Sequence, residues 1–535
     1  GRMFRQFALC IASSIGLSTL VALTLAPALC SMILKSGEEK ADFQFIQTFD
    51  DWFAKIRDKY LSYTKYFVDS WKLTLSVLGI IVLFTAGMFL IIPRGFLPLE
   101  DRGAVFTQIQ LPDGSSASRT DEVAKDVEKK LTQIPGVKET ISLVGLNGEN
   151  TAFIVSDFKP WSKRHKKEES LDGIMKNINQ QFAHYPSATV ATFSPPAISG
   201  LGMFGGFEYQ LLDKGDRDAS ELYSQAKKLM GTVMQDPNFE MFYTTYSANL
   251  PQLELDVDVD KAMAQSVQVS EVYNAIASYF AKTYVNDFNK YGRVYRVYVQ
   301  ADSPYRARIS DINKIYVKNT LGNMVPLSSV IKIKNVVGPY TRTRFNMYPA
   351  VTFNGSTRAG ISSGKAMEMM EKISDEVLPE DMGFAWSGSS LQEKQSSGQI
   401  IPILIMSLVF IFLFLVGLYE SWLLPISVLL VTPVALVGAL LFQYVSGYSL
   451  DIYSQIGLVM LIGLSTKQAI LIVEFAKDAM EKDGLNYIEA AMQAAKLRFR
   501  AVMMTNIAFI LGLLPLVFAI WVTLCVPLSA FQSTL

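Results

Sequence analysis

Six stretches of this chain are long and apolar enough to cross a bilayer, and no other feature limits its possible folds as much. They run over 8–33, 73–92, 399–418, 423–446, 452–475 and 502–524. A hydrocarbon core of about 30 Å takes roughly 20 helical residues. Inside it every backbone polar group must be paired within the chain, so a span is a helix or part of a closed barrel. Unbroken apolarity, rather than alternation, selects helices here. The first stretch contains Pro27 and is followed by a charged linker and a second span, so it reads as a span and not as a removable leader. Half of the 535 residues are hydrophobic and only 18% are charged. Membrane spans joined to a sizeable folded region account for that balance.

Composition removes several functions. Net charge is zero, and the basic segment "WSKRHKKEES" is short, flanked by acids and free of interleaved aromatics, so it reads as a solvated loop and not as a nucleic-acid surface. Cys10, Cys30 and Cys525 all lie in apolar segments without metal-ligand spacing, and the two histidines, His165 and His184, sit in polar surroundings. No metal site or cofactor is expected. "GISSG" at 360–364 has the spacing of a serine-hydrolase elbow, but that chemistry needs a histidine, usually later in the chain, and none follows residue 184. It reads as a loop entering a helix. No catalytic residues are expected, and the chain is not read as an enzyme.

The organisation is that of an α+β membrane protein. After the span 1–34, the segment 35–72 carries aromatics at helical spacing among mixed charges and suits an amphipathic helix on the membrane surface. A second span covers 73–92. Residues 93–398 contain no span and show a strand–helix–strand order three times, which implies small split βαβ, ferredoxin-like units. In the first of them, "SRTDEVAKDVEKKLTQI" reads as a helix opened by Thr120 as its N-cap. The units are assigned to 93–203 and to 204–248 with 331–398. The region 249–330, rich in strands such as "VYRVYVQ" and turns such as "NKYG", reads as an inserted domain. Three spans follow over 399–475, then a helix at 476–500, a last span at 501–524 and a tail at 525–535. Lysine and arginine near span ends concentrate in 35–72 and 477–500, which places those loops in the cytoplasm and the large domain on the opposite side.

One charge breaks the apolar pattern. Lys467 lies about fifteen residues into its span, and a lysine at a bilayer centre costs roughly 2.5–3.5 kcal/mol on the insertion scale. Snorkelling to the interface is strained, because helical side chains lean toward the N-terminus and here that direction is the membrane interior. Arg498 and Thr505 share a face on the following span. The three are expected to form a polar cluster inside a helix bundle, yet no Asp or Glu lies deep in any of the six spans to answer the lysine.

Several segments together resemble a known family. "FRQFALCIASSIGLSTLVALTLAPALC", "RGFLPLEDRG", "PQLELDVDVDKA", "YVNDFNKYGRVYRVYVQAD", "WSGSSLQEKQSSGQ", "LYESWLLPISVLLVTPVALVGALL" and "GLSTKQAILIVEFAKD" are similar to the C-terminal half of resistance-nodulation-division efflux pumps, of the AcrB-like, hydrophobe/amphiphile branch. The match runs almost continuously from residue 1 to about 519. It implies a homotrimeric, proton-driven exporter of drugs, detergents, bile salts or dyes in the inner membrane of a Gram-negative bacterium. A periplasmic adaptor and an outer-membrane channel are its implied partners, with protons as the coupling ion. The resemblance casts Lys467, Arg498 and Thr505 as the proton relay, answering an aspartate pair of the family's N-terminal half.

By the same resemblance, 93–203 and 204–248 with 331–398 are porter subdomains and 249–330 is a docking domain. Gly145, Gly148 and Asn150 belong to the family's glycine-rich switch loop, although Val144 and Leu146 stand where aromatics are usual. Phe193, Met203, Phe204 and Phe207 match the segment lining the substrate pocket, and each fits ordinary core packing equally well. Asp287, Tyr291 and Arg293 fall on a hairpin directed at the outer-membrane channel.

Two departures carry a further expectation. The chain starts just before the family's sixth span, and the match fails after "LGLLPLVFA". A truncated pump half is therefore expected, and a non-transporting remnant or membrane scaffold is the alternative. A metal-exporting relative would need a ladder of methionines along the porter, and Met203 alone does not make one.

Overall fold

The computed structural model describes residues 2–33, 44–98, 100–198, 200–358, 360–396, 398 and 400–517. The tail at 525–535, Cys525, the end of the last expected span and the first part of the 35–72 linker lie outside the described residues.

Three helices open the chain: α1 (Arg2–Ile33), α2 (Gln44–Asp69) and α3 (Trp71–Ile91). No part of the apolar window of α1 is buried within this chain. The amphipathic face of α2 does find a partner. Phe53 and Tyr60, seven residues apart and so on one face, bring their rings to 5.3 and 4.9 Å from that of Phe499 near the foot of the last helix.

Two α/β units follow. The first is β1 (Ala104–Gln110), α4 (Ala117–Leu131), β2 (Val137–Val144), β3 (Thr151–Phe158), α5 (Leu171–Phe182) and β4 (Thr189–Phe193), with the antiparallel strand order β2-β3-β1-β4. Its core joins Val105 and Ile109 of the sheet to Val127 and Leu131 of α4 and Ile174 and Ile178 of α5. Alternation along the strands and the 3–4 residue spacing on the helices put these side chains on facing surfaces. The cap of α4 differs from the expectation. Ser116, in extended backbone, accepts from the Arg119 amide, while Thr120 lies inside the helix, buried. Either hydroxyl suits a cap, but only Ser116 lies outside the helical turn.

The second unit starts with β5 (Phe207–Asp213), α6 (Ala219–Val233) and β6 (Phe239–Tyr243). The chain then leaves it for β7 (Leu250–Val257), α7 (Val259–Ala264), α8 (Val269–Phe280), β8 (Thr283–Lys290), β9 (Arg293–Val299), β10 (Tyr316–Lys318), β11 (Met324–Pro326) and β12 (Ile331–Gly338). It returns with β13 (Arg344–Phe345), β14 (Tyr348–Thr357), α9 (Ser363–Val377) and β15 (Met382–Ser387). The sheet of this unit runs β6-β14-β5-β15, the same order of first, second, third and fourth strands as in the first unit. β7 and β12 pair along their whole length and form the stalk of the excursion, whose own core contains Val272, Ile312, Ile315 and Leu327. The 360–364 loop leads into α9, with Ser362 accepting from the Lys365 amide as its cap.

A short helix α10 (Gly388–Ser396) hands over to α11 (Ile400–Tyr419), α12 (Leu424–Leu429), α13 (Thr432–Val445), α14 (Ile452–Asp483) and α15 (Tyr487–Val517). The expected span 423–446 is thus two helices. Pro433 has no N–H to donate to the preceding turn, and the break falls at Leu430 and Val431. Residues 476–500 are not one helix either. They comprise the end of α14, a turn over 484–486 and the first half of α15. Gly484 makes that turn with φ at +64°, a left-handed cap favoured by glycine. Six segments long and apolar enough to cross a membrane occur among the described residues: Arg5–Ile33, Trp71–Ile91, Ile400–Tyr419, Leu424–Val445 (α12 with α13), Ile452–Asp483 and Tyr487–Pro515. Met88, Ile92, Ile400, Leu440, Leu458 and Ile462 bind α3, α11, α13 and α14 into one packed group.

Candidate functional site

The two α/β units enclose a cleft of about 900 Å3. The end of β1 and the start of β4 form one wall, and α6 with β6 forms the other. Met230, Met234 and Met241 face it beside Tyr185, Tyr223, Tyr243 and Tyr246. Methionine and aromatic side chains make broad apolar contact without strict shape demands. Among the described residues, Asp113 and Lys227 are the only lining side chains charged at neutral pH. Burial pushes the Tyr243 and Tyr246 phenols up, and burial followed by the Asp126 carboxylate lifts Tyr185 to about 12. All three therefore remain neutral hydrogen-bond donors in water. The floor of the cleft is pinned by Gln110, which accepts from Tyr243 Oη at 2.7 Å and donates to the Thr245 carbonyl at 3.3 Å. Ser247 donates to Asp113 across the same seam.

The aromatics expected from sequence fall in different places. Phe193 is buried at the unit boundary, its ring 4.6 Å from that of Phe204, which also lies 6.0 Å from Phe153. Met203 is exposed. Phe207 is buried in the core of the second unit against Phe239, Phe242 and Trp386. None of the four expected residues, Phe193, Met203, Phe204 and Phe207, is among those lining the cleft. Its ring covers Gly355, its partner across the strands, where an added Cβ would come within 2.2 Å of the ring. The cleft methionines on α6 and β6 were not singled out from sequence, because their helical and strand spacing is also that of ordinary core.

The loop between β2 and β3 carries Gly145 (φ +81°) and Gly148 (φ +132°), both in backbone that L residues rarely adopt. Asn150 donates to the Leu111 carbonyl at 3.1 Å, tying this loop to the strand end that lines the cleft. Thr120 donates to the Glu149 carbonyl at 2.6 Å. The hydroxyl read from sequence as a cap therefore anchors the loop.

On the excursion, β8 and β9 form a ribbon whose side chains are exposed on both faces. Tyr291 and Gly292 both have positive φ at its tip, as a two-residue hairpin turn requires. Asp287 faces Arg296 across the strands and Arg293 faces Lys290. Cross-strand pairs Tyr284–Tyr298 and Phe288–Tyr295 hold a ribbon that has no core of its own.

In the membrane helices, Lys467 of α14 and Thr505 of α15 are both exposed on this chain. Arg498 sets its guanidinium over the Phe475 ring of α14, 3.6 Å from the ring centroid. The three are not gathered into one hydrogen-bonded cluster among the described residues. Instead Gln468 donates to Asn506, pairing the two helices one residue beyond Lys467 and Thr505. Glutamine and asparagine carry no charge to mark them in an apolar run, so this pair escaped the sequence reading.

A bundle of membrane-length helices interrupted by two matching α/β units, with a cleft rich in methionine and tyrosine between them, is the arrangement of a multi-span membrane protein with a large folded region between its spans. The sequence profile of the AcrB/AcrD/AcrF family matches residues 1–521, and the chain belongs to that family of resistance-nodulation-division multidrug efflux transporters. It is 38% identical over 531 residues to multidrug resistance protein MdtF of Escherichia coli strain K12, covering 97% of this chain and 51% of that protein. It is 36% identical over 526 residues to multidrug export protein AcrF of the same strain, covering 96% and 51%. The toluene efflux pump membrane transporter TtgB of Pseudomonas putida is 36% identical over 529 residues, covering 97% and 50%. The chain thus spans about half the length of the curated relatives it matches.

Proposed function

We propose that this chain supplies the substrate cleft and the lysine-bearing helices of a proton-driven efflux pump for amphiphilic drugs, detergents, bile salts or dyes. The observation that carries this reading is the cleft of about 900 Å3 between the α/β units, lined by three methionines and four tyrosines and by only one carboxylate and one ammonium. Such a lining favours varied apolar molecules with a polar end. In this reading the two units are ferredoxin-like porter subdomains on the periplasmic side of an inner membrane. The β7–β12 excursion is the docking domain, its β8–β9 ribbon meets an outer-membrane channel, and the pump is a homotrimer held with a periplasmic adaptor. Exposed tyrosines on both faces of the ribbon support a partner there, since an isolated two-stranded hairpin is marginal in water. Protons are the coupling ion, and Lys467 senses their uptake by losing an anionic partner. Its exposure on this chain leaves its ammonium free to meet one from outside the described helices.

The test is dye efflux from a pump-deficient bacterium expressing the complete gene that encodes this chain. Met230→Trp, which fills the cleft, is expected to reduce efflux of bulky dyes at unchanged membrane expression. Efflux equal to that of the unsubstituted gene would refute the cleft as the route.

A further inference from the structure

The segment 93–96, where α3 leaves the membrane, ties three parts of the molecule together. Leu450 donates to the Pro93 carbonyl at 2.8 Å and Ile452 to the Phe96 carbonyl at 3.1 Å, so the segment is bound to the start of α14, the helix of Lys467. The Phe96 amide donates to Ser363 Oγ at 3.4 Å, at the start of α9. Ser363 in turn donates to Glu393 Oε1 at 2.8 Å on α10, the helix that leads into α11. Gly364 permits this approach, because a Cβ there would stand 2.7 Å from the Arg94 carbonyl oxygen and 3.4 Å from Glu393 Oε1.

Glu393 is only 7% exposed, and it borders a cavity of about 50 Å3 walled by Phe96, Leu97, Ile198, Leu201 and Phe204. It is the sole titratable side chain lining that cavity among the described residues. Of the charged groups on the surrounding elements, Arg94 and Lys365 are exposed, Lys394 pairs with Glu371 on α9, and Asp451 caps α14 by accepting from the Ser454 amide. No cation among the described residues is engaged with Glu393.

We propose that Glu393 is a proton-binding site outside the membrane, and that its protonation holds α10 to the Phe96 segment and so joins the membrane helices to the second α/β unit. A neutral carboxyl fits the apolar wall and accepts from Ser363. Loss of its proton leaves a carboxylate with one donor, and the cavity has room for only a few waters to solvate it. The charged form is relieved by opening the cavity, which breaks the Ser363–Phe96 link. Burial lifts the carboxyl to about 7, against the opposite pull of the Ser363 hydrogen bond, so the change falls near neutral pH. The inference extends the efflux reading by adding a proton site where the α/β unit meets the membrane.

Hydrogen–deuterium exchange on the full chain in lipid nanodiscs, corrected for intrinsic rates, tests it at the 93–98 peptide. Between about pH 6 and pH 8, protection of the Phe96 amide is expected to fall roughly tenfold, following the loss of the neutral carboxyl. In Glu393→Gln, which cannot ionise, protection should stay high throughout. Equal pH responses in the two proteins, or no response in either, would overturn the proposal. Should the variant fail to insert, infrared titration of the unsubstituted chain decides, and absence of a carboxyl midpoint between about 6 and 8 would equally overturn it. Neither readout involves transport, so failure of the efflux reading would leave this result distinguishable.

Discussion

Gln468 donates a hydrogen bond to Asn506, joining α14 to α15 one residue beyond Lys467 and Thr505. In a helix, consecutive residues are about 100° apart, so this contact turns Lys467 and Thr505 off the helix interface. Their exposure on this chain follows from where the uncharged amides pair.

That bond should be measurable. A double-mutant cycle of Gln468→Leu and Asn506→Leu, read by thermal unfolding in lipid or detergent, is expected to give a coupling of about 0.6–1.7 kcal/mol, the range of interhelical hydrogen bonds in membranes. Additive effects would mean that the two amides do not support one another.

Two neighbouring candidates of the pocket segment should behave in opposite ways. Phe207→Ala removes a ring from the core of the second unit and from over Gly355, so a loss of about 3–5 kcal/mol is expected. Met203→Ala, at an exposed site, should stay within about 0.5 kcal/mol. Denaturation of the folded chain followed by tryptophan fluorescence separates them, since Trp386 lies in the same core as Phe207.

The membrane helices and the two α/β units were legible because their patterns are long and redundant: six apolar runs, and strands and helices repeated in order. Details that turn on one residue were not. Ser116 and Thr120 are both good caps by type, and only the backbone position distinguishes them. Phe207 follows Phe204 by three residues in a segment that passes from the unit boundary into a core, and no spacing marks that passage. Lys467 drew attention because charge is costly in a span. The Gln468–Asn506 pair did not, because both side chains are neutral. Glu393 lay unremarked within a matched motif, since a carboxylate in a polar stretch carries no sign of being buried until the chain around it is folded.

Thr120 gives a test of the loop anchor. Thr120→Val keeps the shape but removes the donor to the Glu149 carbonyl, and should cost about 1 kcal/mol. Faster amide exchange over 145–150, with the rest of the first unit unchanged, is the expected signature. An unaltered loop would show that the Thr120 bond is not what anchors it.

Glu393 also makes stability depend on pH, with a definite sign. Its carboxyl is raised from 4.5 to about 7 in the folded chain, so the folded state holds a proton that the unfolded chain releases earlier. The stability it lends is present in full below about pH 4.5 and declines as pH rises to about 7, by roughly 3 kcal/mol in all. Thermal midpoints of Glu393→Gln and the unsubstituted chain should therefore agree in acid and diverge toward neutral pH, with the variant the more stable. A constant difference across that window would contradict the assignment.

The proposed coupling of efflux to protons rests on Lys467 of α14. It is tested most directly in membrane vesicles carrying the product of the complete gene, by dye efflux driven by an imposed pH gradient. Lys467→Met is expected to abolish gradient-driven efflux by about a hundredfold or more, as loss of a charge needed for coupling would, while leaving dye binding and the thermal midpoint nearly unchanged. Efflux that persists in Lys467→Met at the unsubstituted rate would contradict the account.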